Sequence, residues 1–442
     1  MNNLQIQLPE KFGWVDISNP TFAKVLDELV LGTSDLFIQG RAGCGKSLLI
    51  KILCEMKKNV VVLSTTGLTA MALSVDNITA KTIHSFFSIA PQEIIDNFSL
   101  YSMAPKNVKL LKAASCIVID EVSMMSNQLF DHICEKISYV RGNIPRIILF
   151  GDIMQLPPVI DMNNNIIKDY YQKHYDGKVM FFNSKYYNQL KFKKLHLRKS
   201  YRQLDSDFSD RLLEIGYKDH GQDTIDFFNQ QVMSLPQFEK KYQQYMYMSP
   251  TNVVVNNMNN EYIKKLNGKS IIYKATKSKN WPVNHTPSDE TIEIKEGAQV
   301  MCTMNSYDIN NGSNYRNGTI GTAIKVDPNF VEIELQDGST TKVQKSTLML
   351  NELDLDNNGN IIYRPKGWYK QIDCKVCKAI SVHKSQGKTF DEAYFAPGNW
   401  TPPGLVYVAL SRLSKLSGLG LARPLTMNDI KINEESYDFL TG

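Results

Sequence analysis

Two short segments constrain this chain more than the rest of its 442 residues. Gly40-Arg41-Ala42-Gly43-Cys44-Gly45-Lys46-Ser47 is a complete GxxxxGK[ST] loop, and Asp120-Glu121 closes the apolar run Cys116-Ile117-Val118-Ile119. The loop follows an apolar stretch, Asp35-Leu36-Phe37-Ile38-Gln39, and precedes a helical pattern from Ser47 to Met56. Strand, glycine loop and helix in that order aim backbone N–H groups and a positive helix end at a phosphate. Gly40, Ala42, Gly43, Cys44, Gly45 and Leu48 are the expected cradle for a nucleoside triphosphate. Lys46 supplies a point charge to the β- and γ-phosphates, and Ser47 a hydroxyl ligand for Mg²⁺. Cys44 stands where such loops often carry Thr, and its side chain is expected to face away from phosphate. Asp120 is placed to hold the metal, directly or through water. Glu121 is placed to orient and deprotonate the attacking water.

A chain of this length suits two or three domains. Asn59 to Ser64, Cys116 to Ile119 and Arg146 to Phe150 read as further buried strands beside Asp35–Gln39. Short apolar strands alternating with helices predict an α/β fold with a parallel sheet covered on both faces. A second such pattern starts with Tyr245 to Thr251 and the helical Val253 to Leu266, and ends in a strand and helix between Ala379 and Arg412. Between them the pattern changes. Gln299–Thr303, Gly318–Val326 and Val331–Leu335 are short strands, with turn dipeptides Asn317-Gly318, Asp337-Gly338 and Asn358-Gly359. A small antiparallel β insertion is expected over 297–366.

The seven cysteines follow no framework spacing, so reduced thiols are expected, and Cys374-x-x-Cys377 reads as structural. No apolar run reaches membrane-spanning length, and no signal sequence or Arg-rich presequence is visible. The expected setting is cytoplasmic, without membrane attachment. The net charge of +5 is compatible with a polyanion but does not require one.

Hydrolysis coupled to motion needs a γ-phosphate sensor and added positive charge. Gly151-Asp152-Ile153-Met154-Gln155-Leu156-Pro157-Pro158-Val159 follows a strand, and Gln155 is the natural sensor. Arg202, in Ser200-Tyr201-Arg202-Gln203, and Arg412, in Ala409-Leu410-Ser411-Arg412, are candidate arginine fingers.

Taken with Ser64-Thr65-Thr66-Gly67, Thr82-Ile83-His84-Ser85-Phe86-Phe87, Ser381-Val382-His383-Lys384-Ser385-Gln386-Gly387-Lys388-Thr389 and Val408 to Arg412, the ordered set resembles one family. It is similar to the superfamily-one DNA helicases of the petite-integration-frequency (PIF) type, relatives of the RecD and Dda helicases. The resemblance spans about residues 30 to 415. It implies a 5′-to-3′ ATP-driven helicase on single-stranded DNA, with ATP and Mg²⁺. It also implies two RecA-like domains, a wedge inserted in the first and an SH3-like β insertion in the second. The expected divisions are 1–195 with the wedge near 88–109, then 196–296 and 367–442, with the insertion at 297–366. The resemblance places Gln155, Arg202, Gly387 and Arg412 around the nucleotide. It places Thr66, Gly67, His84, Phe86, Ser381, His383 and Lys384 along the DNA, with one of Phe86 and Phe87 also expected in the core.

Single strands and single-strand/duplex junctions are the implied partners of a functional monomer, recruited by replication or repair proteins. Replication, recombination, repair and telomere maintenance are the implied processes. In a eukaryotic host the setting would be nuclear or mitochondrial. Two alternatives share the scaffold: a single-strand translocase or RNA/DNA-hybrid remodeller, and a nucleotide-switched DNA-binding protein. This chain departs from the family pattern in Ile17-Ser18-Asn19-Pro20-Thr21-Phe22, which lacks the adenine-reading glutamine, and in Gly142-Asn143-Ile144-Pro145-Arg146, where Phe-Gly-Gly is usual.

Overall fold

The computed structural model describes the chain apart from residues 1–5, 16, 67–68, 71–72, 75–77, 90–102, 204, 282–287, 305, 307–313, 316–317, 336, 356–357, 359–360 and 400. It divides into two compact units. The first comprises Met1–Tyr201, Asn351–Arg364 and Glu434–Gly442, and the second Arg202–Leu350 and Pro365–Asn433.

The first unit is built on a parallel sheet of six strands. These are β1 (Leu36–Gly40), β2 (Val60–Ser64), β3 (Ala80–Thr82), β4 (Cys116–Asp120), β5 (Arg146–Gly151) and β6 (Lys193–Leu197), in spatial order β3-β2-β4-β5-β1-β6. Successive side chains go to opposite faces. Phe37, Val61, Ile117, Ile119 and Leu149 enter one core with Phe130, Ile133 and Ile137 of the helix Asn127–Arg141. Leu36, Ile38, Val62, Val118 and Ile148 enter the other. There they meet Leu26 and Leu29 of α1 (Pro20–Leu31) and Leu49, Ile50 and Leu53 of α2 (Lys46–Met56). Both faces are covered, so the central strands carry no polar face and read as apolar runs. The edge strands β3 and β6 are short or lysine-bearing and give no such signal.

Local chemistry sets the helix ends. The Asn19 side chain accepts from Thr21 N and Phe22 N, with Pro20 at the first helical position of α1. Ser126 caps Asn127–Arg141 at its start, and Gly142, at φ +78°, ends it in the left-handed region. Arg146 donates to Leu29 O (2.8 Å) and Glu28 O (2.7 Å), satisfying the last carbonyls of α1.

The second unit contains a parallel sheet of four strands, in spatial order Ala379–Ser381, Met246–Ser249, Ala393–Phe395 and Leu419–Leu421. An antiparallel module lies in sequence between the first two strands to occur, Met246–Ser249 and Ala379–Ser381. The Asp337-Gly338 turn joins two of its strands, with Gly338 at φ +78°. Asn317 and Gly359, from the other two expected turns, and most of the 88–109 segment lie outside the described residues. No described helix is long and apolar enough to cross a membrane.

Two boundaries differ from expectation. The antiparallel strands begin at Ser270–Lys274 and Thr291–Lys295 and continue to Cys374–Val376, wider than 297–366. Tyr273, Ile292 and Ile294 share a core with Val300, Val331 and Val343, which binds the extra strands to the module. The C-terminal helix Glu434–Thr441 belongs to the first unit, not the second. Phe439 stacks on Phe182 at 4.1 Å and 8°, and Lys194 Nζ donates to Phe439 O (2.8 Å).

Candidate nucleotide and nucleic-acid sites

The glycine loop leaves β1 at Gly40 and enters α2 at Lys46. Gly43 (φ +79°) and Gly45 (φ +90°) turn the backbone where a side chain would be strained. A Cβ on Gly40 would overlap the Cys44 sulfur, which is packed into the core beneath the loop. Cys44 is 1% exposed, and burial pushes its thiol pKa up. Its side chain therefore faces inward, as the sequence led one to expect. The loop is pinned from behind by Ser200 Oγ, which donates to Ala42 O (3.2 Å), and by Tyr201 N, which donates to Gly43 O (2.9 Å). The Lys46 ammonium donates to Gly40 O (2.6 Å) and Arg41 O (3.1 Å). Burial opposes its charge, but the ionisable groups Cys44, Glu121, Asp152 and Asp120 more than offset this, and its pKa is raised. Ser47 and Leu48 lie in the first turn of α2.

Asp120 ends β4 and is 2% exposed. Burial, then the charge of Glu121, push its carboxyl up to about 7, against the pull of Lys46. Its Oδ1 is buried and has no hydrogen-bond partner among the described residues. A carboxylate oxygen with that need, near the first turn of a phosphate-loop helix, fits a hard divalent cation such as Mg²⁺. Glu121 adopts φ +56°, ψ +45°, a left-handed conformation that costs about 1–3 kcal/mol outside glycine. Its carbonyl accepts from the Thr65 hydroxyl at 2.9 Å.

Behind the loop lies a buried polar triad that its residue types alone did not reveal. The Asp152 carboxylate accepts from Gln39 Nε2 (2.9 Å) and Gln155 Nε2 (3.1 Å), and Gln39 Oε1 accepts from Ile153 N (3.1 Å). Asp152 is fully buried, and Gln39 and Gln155 nearly so. The orientation of Gln155 is thus set through Asp152 and Gln39. A glutamine inside the apolar strand Leu36–Gly40 was the available signal.

On the nucleic-acid side, Thr66 Oγ1 caps the following turn by accepting from Thr69 N (3.2 Å), while Gly67 lies outside the described residues. His84 sits in the short helix Ile83–Phe87, and burial lowers its pKa, favouring a neutral ring. Asn107 Nδ2 donates to Phe86 O (2.7 Å) and the buried Lys136 ammonium to Phe87 O (2.7 Å), fixing this helix from below. Phe86 is corrected here. It is 0% exposed and packs edge-on against Phe87, so it is a core residue and not a base-stacking face. Phe86→Ala should lower unfolding free energy by about 3 kcal/mol, measured by denaturant titration. A loss of DNA affinity in Phe86→Leu at unchanged stability would restore the stacking role.

In the second unit, Asn259 bonds Lys378 N (2.9 Å), Ala379 N (2.8 Å) and Ala379 O (2.9 Å), and so anchors the strand that ends at Ser381. Ser381 Oγ is buried without a partner among the described residues. His383 has its pKa lowered by burial, and Lys384 is exposed. Gly387 turns at φ +77°. Lys388, next to it, is pushed down to about 8 by burial and by Lys375. Arg202 Nη1 donates to Ser411 O (3.1 Å), and Gln203 Nε2 to Leu413 O (2.9 Å). Arg412 is 1% exposed and donates to Val408 O (3.0 Å) and Ser411 Oγ (2.8 Å). The structure thus brings Arg202 and Arg412 together around Ser411.

A family model described as PIF1-like helicase matches residues 20–223. The ATP-dependent DNA helicase Pif1 of Campylobacter jejuni is 27% identical over 413 residues, covering 87% of this chain and 88% of that protein. The Pif1 of Bdellovibrio bacteriovorus is 26% identical, with 91% and 87% covered. Among solved structures, Bacteroides sp. Pif1 in complex with ADP-AlF4 matches with a TM-score of 0.84 at 26% identity, covering 96% of each chain. The fold is that of two RecA-like domains, and the chain is similar to the PIF1-like helicases.

Proposed function

We propose that this chain is an ATP-dependent DNA helicase that moves 5′-to-3′ along single-stranded DNA and opens duplex at a junction. One observation carries the reading. β2 and β4 are neighbours with Ser64 opposite Asp120, so the segment expected on DNA and the hydrolytic pair leave one sheet side by side. In this reading Lys46 and the loop amides hold the ATP phosphates, and Glu121 takes the proton of the attacking water. Gln155, oriented by Asp152, senses the γ-phosphate, and Arg202 and Arg412 stabilise its developing charge. Ser47 and Asp120 would hold Mg²⁺, which supplies charge neutralisation between the phosphates when bound. Thr66, Gly67, His84, Ser381, His383 and Lys384 are the proposed DNA contacts. Neutral imidazoles and hydroxyls grip phosphate weakly enough to release it. We place its action in the cytoplasm of a bacterial or phage-infected cell, as a monomer on DNA.

The test is strand separation of a short duplex with either a 5′ or a 3′ single-stranded tail, in Mg²⁺ and ATP at low salt. Unwinding of the 5′-tailed substrate alone, absent in Lys46→Ala, is the expected result. Unwinding only from a 3′ tail would overturn the polarity, and none at all despite ATP turnover would reduce the protein to a translocase.

The nucleotide base is read weakly in this proposal. The stretch Ile17-Ser18-Asn19-Pro20-Thr21-Phe22 offers no glutamine, and its Asn19 side chain is committed to capping the helix. A site without a dedicated hydrogen-bonding partner discriminates poorly between bases. DNA-dependent kcat/KM with GTP should fall within about tenfold of that with ATP. A preference above about a thousandfold would show that another group reads adenine.

A further inference from the structure

We infer that Thr65 is a positioning residue that transmits occupancy of the Ser64–Thr66 segment to the backbone of Glu121. The inference deepens the proposed function and rests on its reading of Glu121 as the base.

Three observations support it. Glu121 is held in a left-handed conformation that a non-glycine residue does not adopt without support. The Thr65 hydroxyl supplies a side-chain anchor for its carbonyl, at 2.9 Å. The anchor crosses between the ends of adjacent strands, because Ser64 and Asp120 are register partners in β2 and β4. From the opposite side, Gly151 at the end of β5 lies so close that a Cβ there would sit 2.8 Å from Val122 Cγ2 and 3.1 Å from Val122 N. The peptide after Glu121 is therefore gripped from one side by packing and from the other by Thr65. Packing against Gly151 is fixed by the sheet. The Thr65 contact is a single side-chain hydrogen bond, and the adjoining Thr66 is tied into a capping turn through Thr69. A strand held against this turn would hold Thr65 in the contact it makes, and Thr65 would hold the plane of the Glu121 peptide, so the carboxylate is aimed more firmly when DNA is held. Thr65 itself need not touch DNA, ATP or water.

Thr65→Val keeps the shape and removes the donor, and Thr65→Ser restores it. The readout is the ratio of kcat with saturating oligodeoxynucleotide to kcat without it, with KM for ATP and Kd for the oligonucleotide measured alongside. Losing one hydrogen bond of ordinary strength predicts a fall in the ratio of about five- to tenfold. KM and Kd should change by less than about twofold, and Thr65→Ser should recover the wild-type ratio. A wild-type ratio in Thr65→Val would overturn the inference. So would a tenfold weaker Kd whose effect vanishes at saturating DNA, which would make Thr65 a plain DNA contact. Melting curves of both variants separate misfolding from decoupling, and Thr65→Ala, which also removes the donor, carries the same test if the valine variant does not fold. If Glu121→Gln leaves turnover intact, the reading of Glu121 fails on its own and Thr65 is not implicated.

Discussion

Glu121→Gln is expected to slow ATP turnover by about two to four orders of magnitude while leaving nucleotide and DNA binding within about threefold. The substitution preserves size and shape and removes the basic carboxylate, so the loss falls on proton transfer. The backbone change is small, because glutamine meets the same left-handed penalty as glutamate and the Thr65 hydroxyl still reaches the carbonyl. The ionisation balance of the site also shifts. The charge of Glu121 is the second cause, after burial, that lifts the Asp120 carboxyl to about 7. Without that charge Asp120 ionises more readily and the proposed metal ligand is kept. The measurement pairs steady-state phosphate release with binding of a fluorescent nucleotide. Lys46→Ala provides the contrast, since removing the ammonium proposed to hold the phosphates should weaken nucleotide binding itself. Turnover within tenfold of wild type in Glu121→Gln would show that another group takes the proton.

The central strands were legible because burial on both faces leaves no room for polar residues, and the phosphate loop because its glycines are needed where φ is positive. What stayed hidden has physical reasons. β3 has three residues and β6 carries exposed lysines, as edge strands do, so neither shows an apolar run. Thr291–Lys295 alternates polar and apolar residues, but its antiparallel partner Ser270–Lys274 runs Ile271, Ile272 and Tyr273 together, so no pair of alternating strands shows in the sequence. Phe86 sits in a motif whose composition fits base stacking equally well. Only its burial in the structure separates the two roles. The supporting polar residues Gln39, Thr65, Lys136 and Asn259 act through contacts distant in sequence, and no spacing rule points to them.

Asp152→Ala is expected to lower the stability of the first unit by about 4 kcal/mol and, in the same variant, to reduce ATP turnover by about a hundredfold. Asp152 is fully buried, and its two carboxylate oxygens satisfy the amides of Gln39 and Gln155. Removing it takes an acceptor from two buried amides, at about 1–3 kcal/mol each, and leaves a void where the carboxylate stood. The catalytic loss follows from the same contacts. Gln155 would lose the group that aims its carboxamide, and a sensor free to rotate cannot report the γ-phosphate. Gln155→Ala separates the effects, because it removes the sensor while the acceptor Asp152 keeps Gln39 and Met154 N nearby. Its turnover should fall about as far as in Asp152→Ala, with a stability loss nearer 1 kcal/mol. If the groups act as one network, the Gln39→Ala/Asp152→Ala double variant should be less destabilised than the sum of its parts, by about 1 kcal/mol or more in a double-mutant cycle. Additive losses would mean that Gln39 and Asp152 are not coupled, and that the orientation of Gln155 owes nothing to Gln39.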